Sequence, residues 1–104
     1  MNYDAALEQA QDRVEEAFNE YDRTLRDAAR KKGDLKEAEA IAYLRSEGTV
    51  QQRSATVTNQ TSQLLKASLY ADALEKSAKS ALEVARDRVS VLQTRSKLNQ
   101  PVAF

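Results

Sequence analysis

Four cations crowd the end of this chain. Arg86, Arg88, Arg95 and Lys97 stand against one acid, Asp87, so residues 84–104 carry a net charge of +3. Clustered Arg and Lys can hold a polyanion by releasing its counterions, or can hold an acidic protein surface. The opposite bias opens the chain, where residues 1–30 hold eight acids and four bases. If the chain folds back on itself, the acidic start lies beside the basic end, and the charges help to select that pairing. Both readings of the four cations stay open, and nucleic acid remains a weakly supported partner. Tyr70 is the one aromatic residue between Tyr43 and Phe104. No platform for stacking bases therefore accompanies the cations.

Other chemistry is excluded by residue type. There is no His and no Cys. That removes His-based acid–base catalysis, Ser-His-Asp triads, thiol chemistry, disulfides and most zinc sites. Two Gly cannot build a phosphate-cradling loop. Glu15 with Glu16, and Glu37 with Glu39, fall on faces expected to be exposed, and di-metal bundles need a Glu-x-x-His pattern that is absent. The chain is expected not to be an enzyme, with no catalytic residue, no metal ligand and no cofactor.

The elements that would position these groups are helices. The chain has 17 Ala, two Gly and one Pro. Leu7, Val14, Tyr21 and Ala28 recur every seven residues, with Phe18 and Leu25 beside them, which predicts a helix over 3–32. Asn2 or Asp4 can cap its start, and Gly33 is expected to end it. Asp34 and Glu37 have capping-box spacing and predict a short helix over 35–46. Gly48 stops that helix, and Thr49 with Gln52 repeats the capping box. Gly48, Thr49, Val50 and Arg53 are thus assigned to the helix junction.

A third, very long helix is expected over 50–98. Leu64, Ala67, Ala71, Leu74, Ala78, Ala81, Ala85, Arg88 and Leu92 recur at spacings of three and four, and Leu82 and Val89 widen the stripe. Thr56–Ser62 is rich in β-branched residues and Asn, which leaves a kink there and an unbroken helix as equal alternatives. Residues 100–104, from just before Pro101, form a tail. The expected fold is all-α: one domain over 1–104, an elongated helical hairpin or coiled-coil-like bundle with one very long C-terminal helix. Leu7, Val14, Phe18, Tyr21, Leu25, Leu64, Ala71, Leu74, Ala78, Ala85 and Leu92 form the expected helix–helix stripe. An Ala-rich seam buries little area per residue, so self-association is expected to supply the missing burial.

Net charge is zero overall. No apolar run is long enough to span a membrane, so no membrane partner is expected. The opening residues lack the basic and apolar regions of a leader, and a cytoplasmic location is expected.

One resemblance adds to this reading. Glu47-Gly48-Thr49-Val50 followed by Arg53, then Tyr70 to Leu74, then Ala85 to Arg95 with Ser96, resembles short α-helical proteins encoded by tailed bacteriophages near recombination and replication genes. It covers residues 47–98. Ser54, Leu92 and Gln93 depart from the usual Glu, Trp and Arg of that pattern. The resemblance implies a non-catalytic phage accessory protein, placed in the host cytoplasm. It would act by contact with another phage or host protein, assisting DNA recombination or single-strand annealing. Two alternatives stand beside it: a structural or inhibitory coiled-coil protein that binds a host or virion protein, and direct single-stranded DNA binding.

Overall fold

Two helices carry the whole described chain. The computed structural model describes residues 2–98. Helix α1 runs over Tyr3–Arg45 and helix α2 over Val50–Leu98. Among the described residues there is no strand. The fold of the described residues is all-α, two helices joined by residues 46–49. The tail expected at residues 100–104 lies outside the described residues.

One expectation is corrected and one open alternative is decided. Helix α1 does not stop at Gly33; it continues without a break through the short helix predicted at 35–46. The reason lies in the phase of its apolar series. Residues 7, 10, 14, 17, 21, 24, 28, 31, 35, 38 and 42 alternate in spacings of three and four, and each is buried or half-buried. Gly33 falls outside this series, on the exposed side, and costs only about 1 kcal/mol relative to Ala in a helix. Leu35, Ala38 and Ala42 keep the seam in phase across it, which offsets that cost.

Of the two alternatives at 56–62, helix α2 takes the unbroken one. The polar side chains there are absorbed by the helix itself. Thr56 donates its hydroxyl to the carbonyl of Gln52 (3.0 Å), Thr58 to Ser54 (2.9 Å) and Thr61 to Val57 (2.7 Å). A hydroxyl that bonds back one turn does not compete for a non-helical backbone.

The described residues fall into two compact units. Residues 2–22 and 76–98 form the first, and Arg23–Glu75 forms the second. Both are antiparallel pairs of helical segments. In the first unit Val14 shares a shallow groove with Val89. In the second, Ala42 lies with Thr61, and Ala28 with Glu75.

The seam of α2 follows 57, 61, 68, 71, 75, 78, 82, 85, 89, 92 and 96. It keeps Ala71, Ala78, Ala85 and Leu92 from the expected stripe. It replaces Ala67, Leu74, Ala81 and Arg88 with Ser68, Glu75, Leu82 and Val89. Leu82 and Val89 are therefore seam residues rather than its margin.

Candidate interaction surfaces and the helix junction

The junction is built from local hydrogen bonds. Ser46 ends α1 by directing both its amide (3.2 Å) and its hydroxyl (2.7 Å) to the carbonyl of Tyr43. Gly48 then reverses the chain at φ 105°, the only positive φ among the described residues. This is the left-handed region that Gly enters without a Cβ penalty. A Cβ there would also run into the side chain of Gln52. Gln52 is fixed because Thr49 and Gln52 form the reciprocal capping box. The Thr49 amide donates to Gln52 Oε1 at 2.9 Å, and the Gln52 amide donates to Thr49 Oγ1 at 3.2 Å. At the start of α1, Asn2 rather than Asp4 is the cap. Its Oδ1 accepts the amides of Asp4 (3.1 Å) and Ala5 (3.2 Å).

Arg53 spans the junction. Its guanidinium carbon lies 5.4 Å from the centre of the Tyr43 ring, within the range of a cation–π contact. Its Nε is buried with no hydrogen-bond partner. The contact ties the first turns of α2 to the last turn of α1. Val50, the remaining junction residue, is 69 % exposed.

The predicted basic residues lie on the last turns of α2, and all four are exposed. Arg86 shares a groove with Gln11, Val14 and Val89 in the first unit. Arg95 lines a separate depression with Val91 and Thr94. Two ion pairs within α1 are local. Asp27 receives Arg30 at 2.7 Å and Lys31 at 3.3 Å. The Arg30 hydrogen bond holds the Asp27 carboxyl below its ordinary value. Arg30 and Lys31 act in mid-helix, at spacings of three and four from Asp27.

The expected stripe divides in two. Leu7, Val14, Tyr21 and Ala85 are half-buried on the seam, and Ala71, Ala78 and Leu92 are fully buried. Phe18, Leu25, Leu64 and Leu74 are instead exposed. Small and polar residues occupy much of the interior in their place: Ala10, Thr24, Thr61 and Ser68 are buried. Sequence reasoning missed these because it ranked residues by hydropathy, although their three-and-four spacing marks the seam equally well.

The grooves are shallow; those at Val14, Ala28, Ala42 and Tyr43 are shared between helix flanks, and the one at Arg95 is lined by α2 alone. Among the described residues no group of three or more His, Cys, Asp or Glu is placed to hold a metal ion. No described helix is long and apolar enough to cross a membrane. Fold and surface together define an all-α, two-helix protein whose distinctive chemistry is exposed apolar side chains. Comparisons with protein-family models, with characterised proteins and with solved structures find no match to this chain.

Proposed function

We propose that this chain is a non-catalytic accessory protein that works by protein–protein contact through its helix faces. One observation carries the reading: side-chain size is inverted between interior and surface. Among the described residues the buried apolar ones are five Ala and three Leu, while Phe18, Leu44, Leu69, Tyr70 and Val84 are among the exposed ones. Scattered apolar residues are ordinary on a surface, but a chain that seats Ala inside and Leu outside presents contact area.

The resemblance of residues 47–98 to short phage proteins supports a setting in phage DNA recombination or single-strand annealing, within the host cell. The test is an annealing assay with a phage single-strand annealing protein, paired with co-sedimentation of the two proteins. The chain should co-sediment and change the annealing rate without retarding the oligonucleotide by itself. Absence of both effects would sink the recombination setting.

The exposure of Arg86, Arg88, Arg95 and Lys97 favours a second reading, direct binding of single-stranded DNA. Salt-dependent retardation by this chain alone, abolished by replacing Arg86 and Arg88 with Ala at unchanged helicity, would select it.

A further inference from the structure

Within the first unit, α2 carries two rows of residues with one rhythm, and α1 covers one of them. The covered row is the seam at 78, 82, 85, 89, 92 and 96. The other is Ala81, Val84, Arg88, Val91, Arg95 and Leu98, all exposed. Its spacings alternate between three and four, as those of the seam do. Its first five members each stand one residue before a seam residue, so the row is turned from the seam by about 100° around the helix. Val84, Val91 and Leu98 are 67 %, 49 % and 80 % exposed. Beside them a depression of about 310 Å³ is sunk into α2, lined by Ser90, Val91, Thr94 and Arg95. Four residues of one helix around a depression make a hole that a side chain of a facing helix can enter.

We infer that this outer row is the docking site for an acidic amphipathic helix of another protein. The inference rests on the contact reading above and names the chemistry of the partner. The rhythm selects a helix, because spacings of three and four on one helix are matched by the same spacings on its neighbour. The charge selects which helix. Val84, Arg88, Val91, Arg95 and Leu98 alternate apolar with cationic side chains. A cover must therefore alternate apolar residues with Asp or Glu, since a wholly apolar helix would desolvate two guanidinium groups without a counter-charge. Arg suits such a row, because its stem packs among apolar groups while its fork meets a carboxylate.

Other occupants fit less well. Helices that lie on a membrane surface hold their cations on the polar face, apart from the apolar one. Val and Leu offer nucleic-acid bases no stacking surface. A second copy meets a geometric obstacle. The chain's own acid–apolar row of this spacing is Glu15, Phe18 and Asp22 on α1. Phe18 stands seven residues after Gln11, which shares a groove with Arg86, so that row lies on the Arg86 flank. Arg86 follows seam residue 85, whereas the docking row precedes the seam. The two rows face opposite flanks, and copies joined through them would add head to tail.

Fluorescence anisotropy of two labelled, stapled helical peptides, titrated with the full chain, tests this. Both peptides place Leu at every second row position; one has Glu and the other Lys at the positions between. The Glu peptide should bind at micromolar concentration and the Lys peptide about ten-fold more weakly or worse, a difference of about 1.4 kcal/mol. Arg88→Glu should reverse the order of the two peptides, because it exchanges an attraction for a repulsion at constant apolar contact. Val91→Ser should weaken both peptides about five-fold or more. A reversed preference cannot come from an unfolded variant, and helicity is followed in parallel. Equal binding of the two peptides, or an order that Arg88→Glu leaves unchanged, would overturn the acidic partner. Binding that Val91→Ser leaves unchanged would overturn this row. Binding of phosphatidylserine vesicles or of an oligonucleotide in place of either peptide, or self-association abolished by Val91→Ser, would assign the row to that occupant instead. If neither peptide binds, the row falls, and co-sedimentation with the annealing protein decides separately whether the contact reading stands.

Discussion

The two units bury different chemistry. In residues 2–22 and 76–98 the buried side chains are Ala10, Ala78, Leu82 and Leu92, all apolar. In Arg23–Glu75 they are Ala28, Leu35, Ala42 and Ala71 together with Thr24, Ser46, Thr61 and Ser68. The first unit is held by large apolar side chains set among Ala. The second has a thin seam of small and hydroxyl residues and depends more on local bonds: a capping box, back-bonded Thr side chains and an Arg–Tyr contact. One heptad series serves two kinds of cohesion. Both units present large apolar groups outward: the second along Leu64, Leu65, Leu69, Tyr70 and Leu74, the first at Phe18, Val84 and Val91.

This contrast can be broken by measurement. The largest effect should come from the first unit. Leu82 is 3 % exposed, and Leu82→Ala should cost about 2–5 kcal/mol through lost transfer energy and the cavity left behind. Denaturant unfolding measures it, and a cost below about 1 kcal/mol would erase the distinction. The next effect sits in the junction. Gly48→Ala forces a Cβ into the left-handed region and against Gln52, and should destabilise by about 1–2 kcal/mol. Gly33→Ala should do the reverse, gaining about 0.5–1 kcal/mol, because a Cβ there meets nothing within 4 Å. Thermal unfolding of the two variants should therefore shift in opposite directions.

Smaller effects sharpen the account of the polar seam. Thr61→Val keeps the shape and removes a hydroxyl that the helix had absorbed. It should leave stability unchanged or raise it by up to about 1 kcal/mol. A clear loss would mean that the hydroxyl holds the seam together. The smallest effect concerns Asp27. Its carboxyl titrates below the ordinary value because Arg30 bonds its charged form. The stabilisation is present at neutral pH and is lost as pH falls through that depressed value. Unfolding of Asp27→Asn should accordingly lose less stability between pH 7 and pH 3 than the wild type loses.

Much of the fold was legible in the sequence, and the misreadings are instructive. The helical character, the Thr49–Gln52 box and the chain reversal at Gly48 followed from residue type and spacing. Gly33 misled because a Gly after three basic residues has the composition of a helix end. What decides its fate is the phase of Leu35, Ala38 and Ala42, a property of the neighbouring turns. The phase of α2 was half legible. Ala71, Ala78, Ala85 and Leu92 sit on the seam series, but Leu64 does not, and the accompanying set was taken as Ala67, Leu74, Ala81 and Arg88. Apolar groups occupy two flanks of α2, and hydropathy alone cannot tell which one meets α1. The partner helix decides, and it selects Ser68, Glu75, Leu82 and Val89. The basic residues were located as exposed groups on the last turns, but residue type does not say what they bind.

The four-residue connection also sets an order of events. Ala42 and Thr61, which lie together near it, are separated by a short piece of chain, whereas Val14 and Val89 are separated by most of it. Each doubling of a closed loop costs about 0.6 kcal/mol in chain entropy, and two doublings lie between these pairs. The polar, weakly cohesive seam is therefore the cheaper one to close first. The stronger apolar contacts of Leu82 and Leu92 are the later ones to form, and they act as a lock on a zip that starts at Gly48. Substitutions around the connection should slow folding, and substitutions at Leu82 should chiefly speed unfolding.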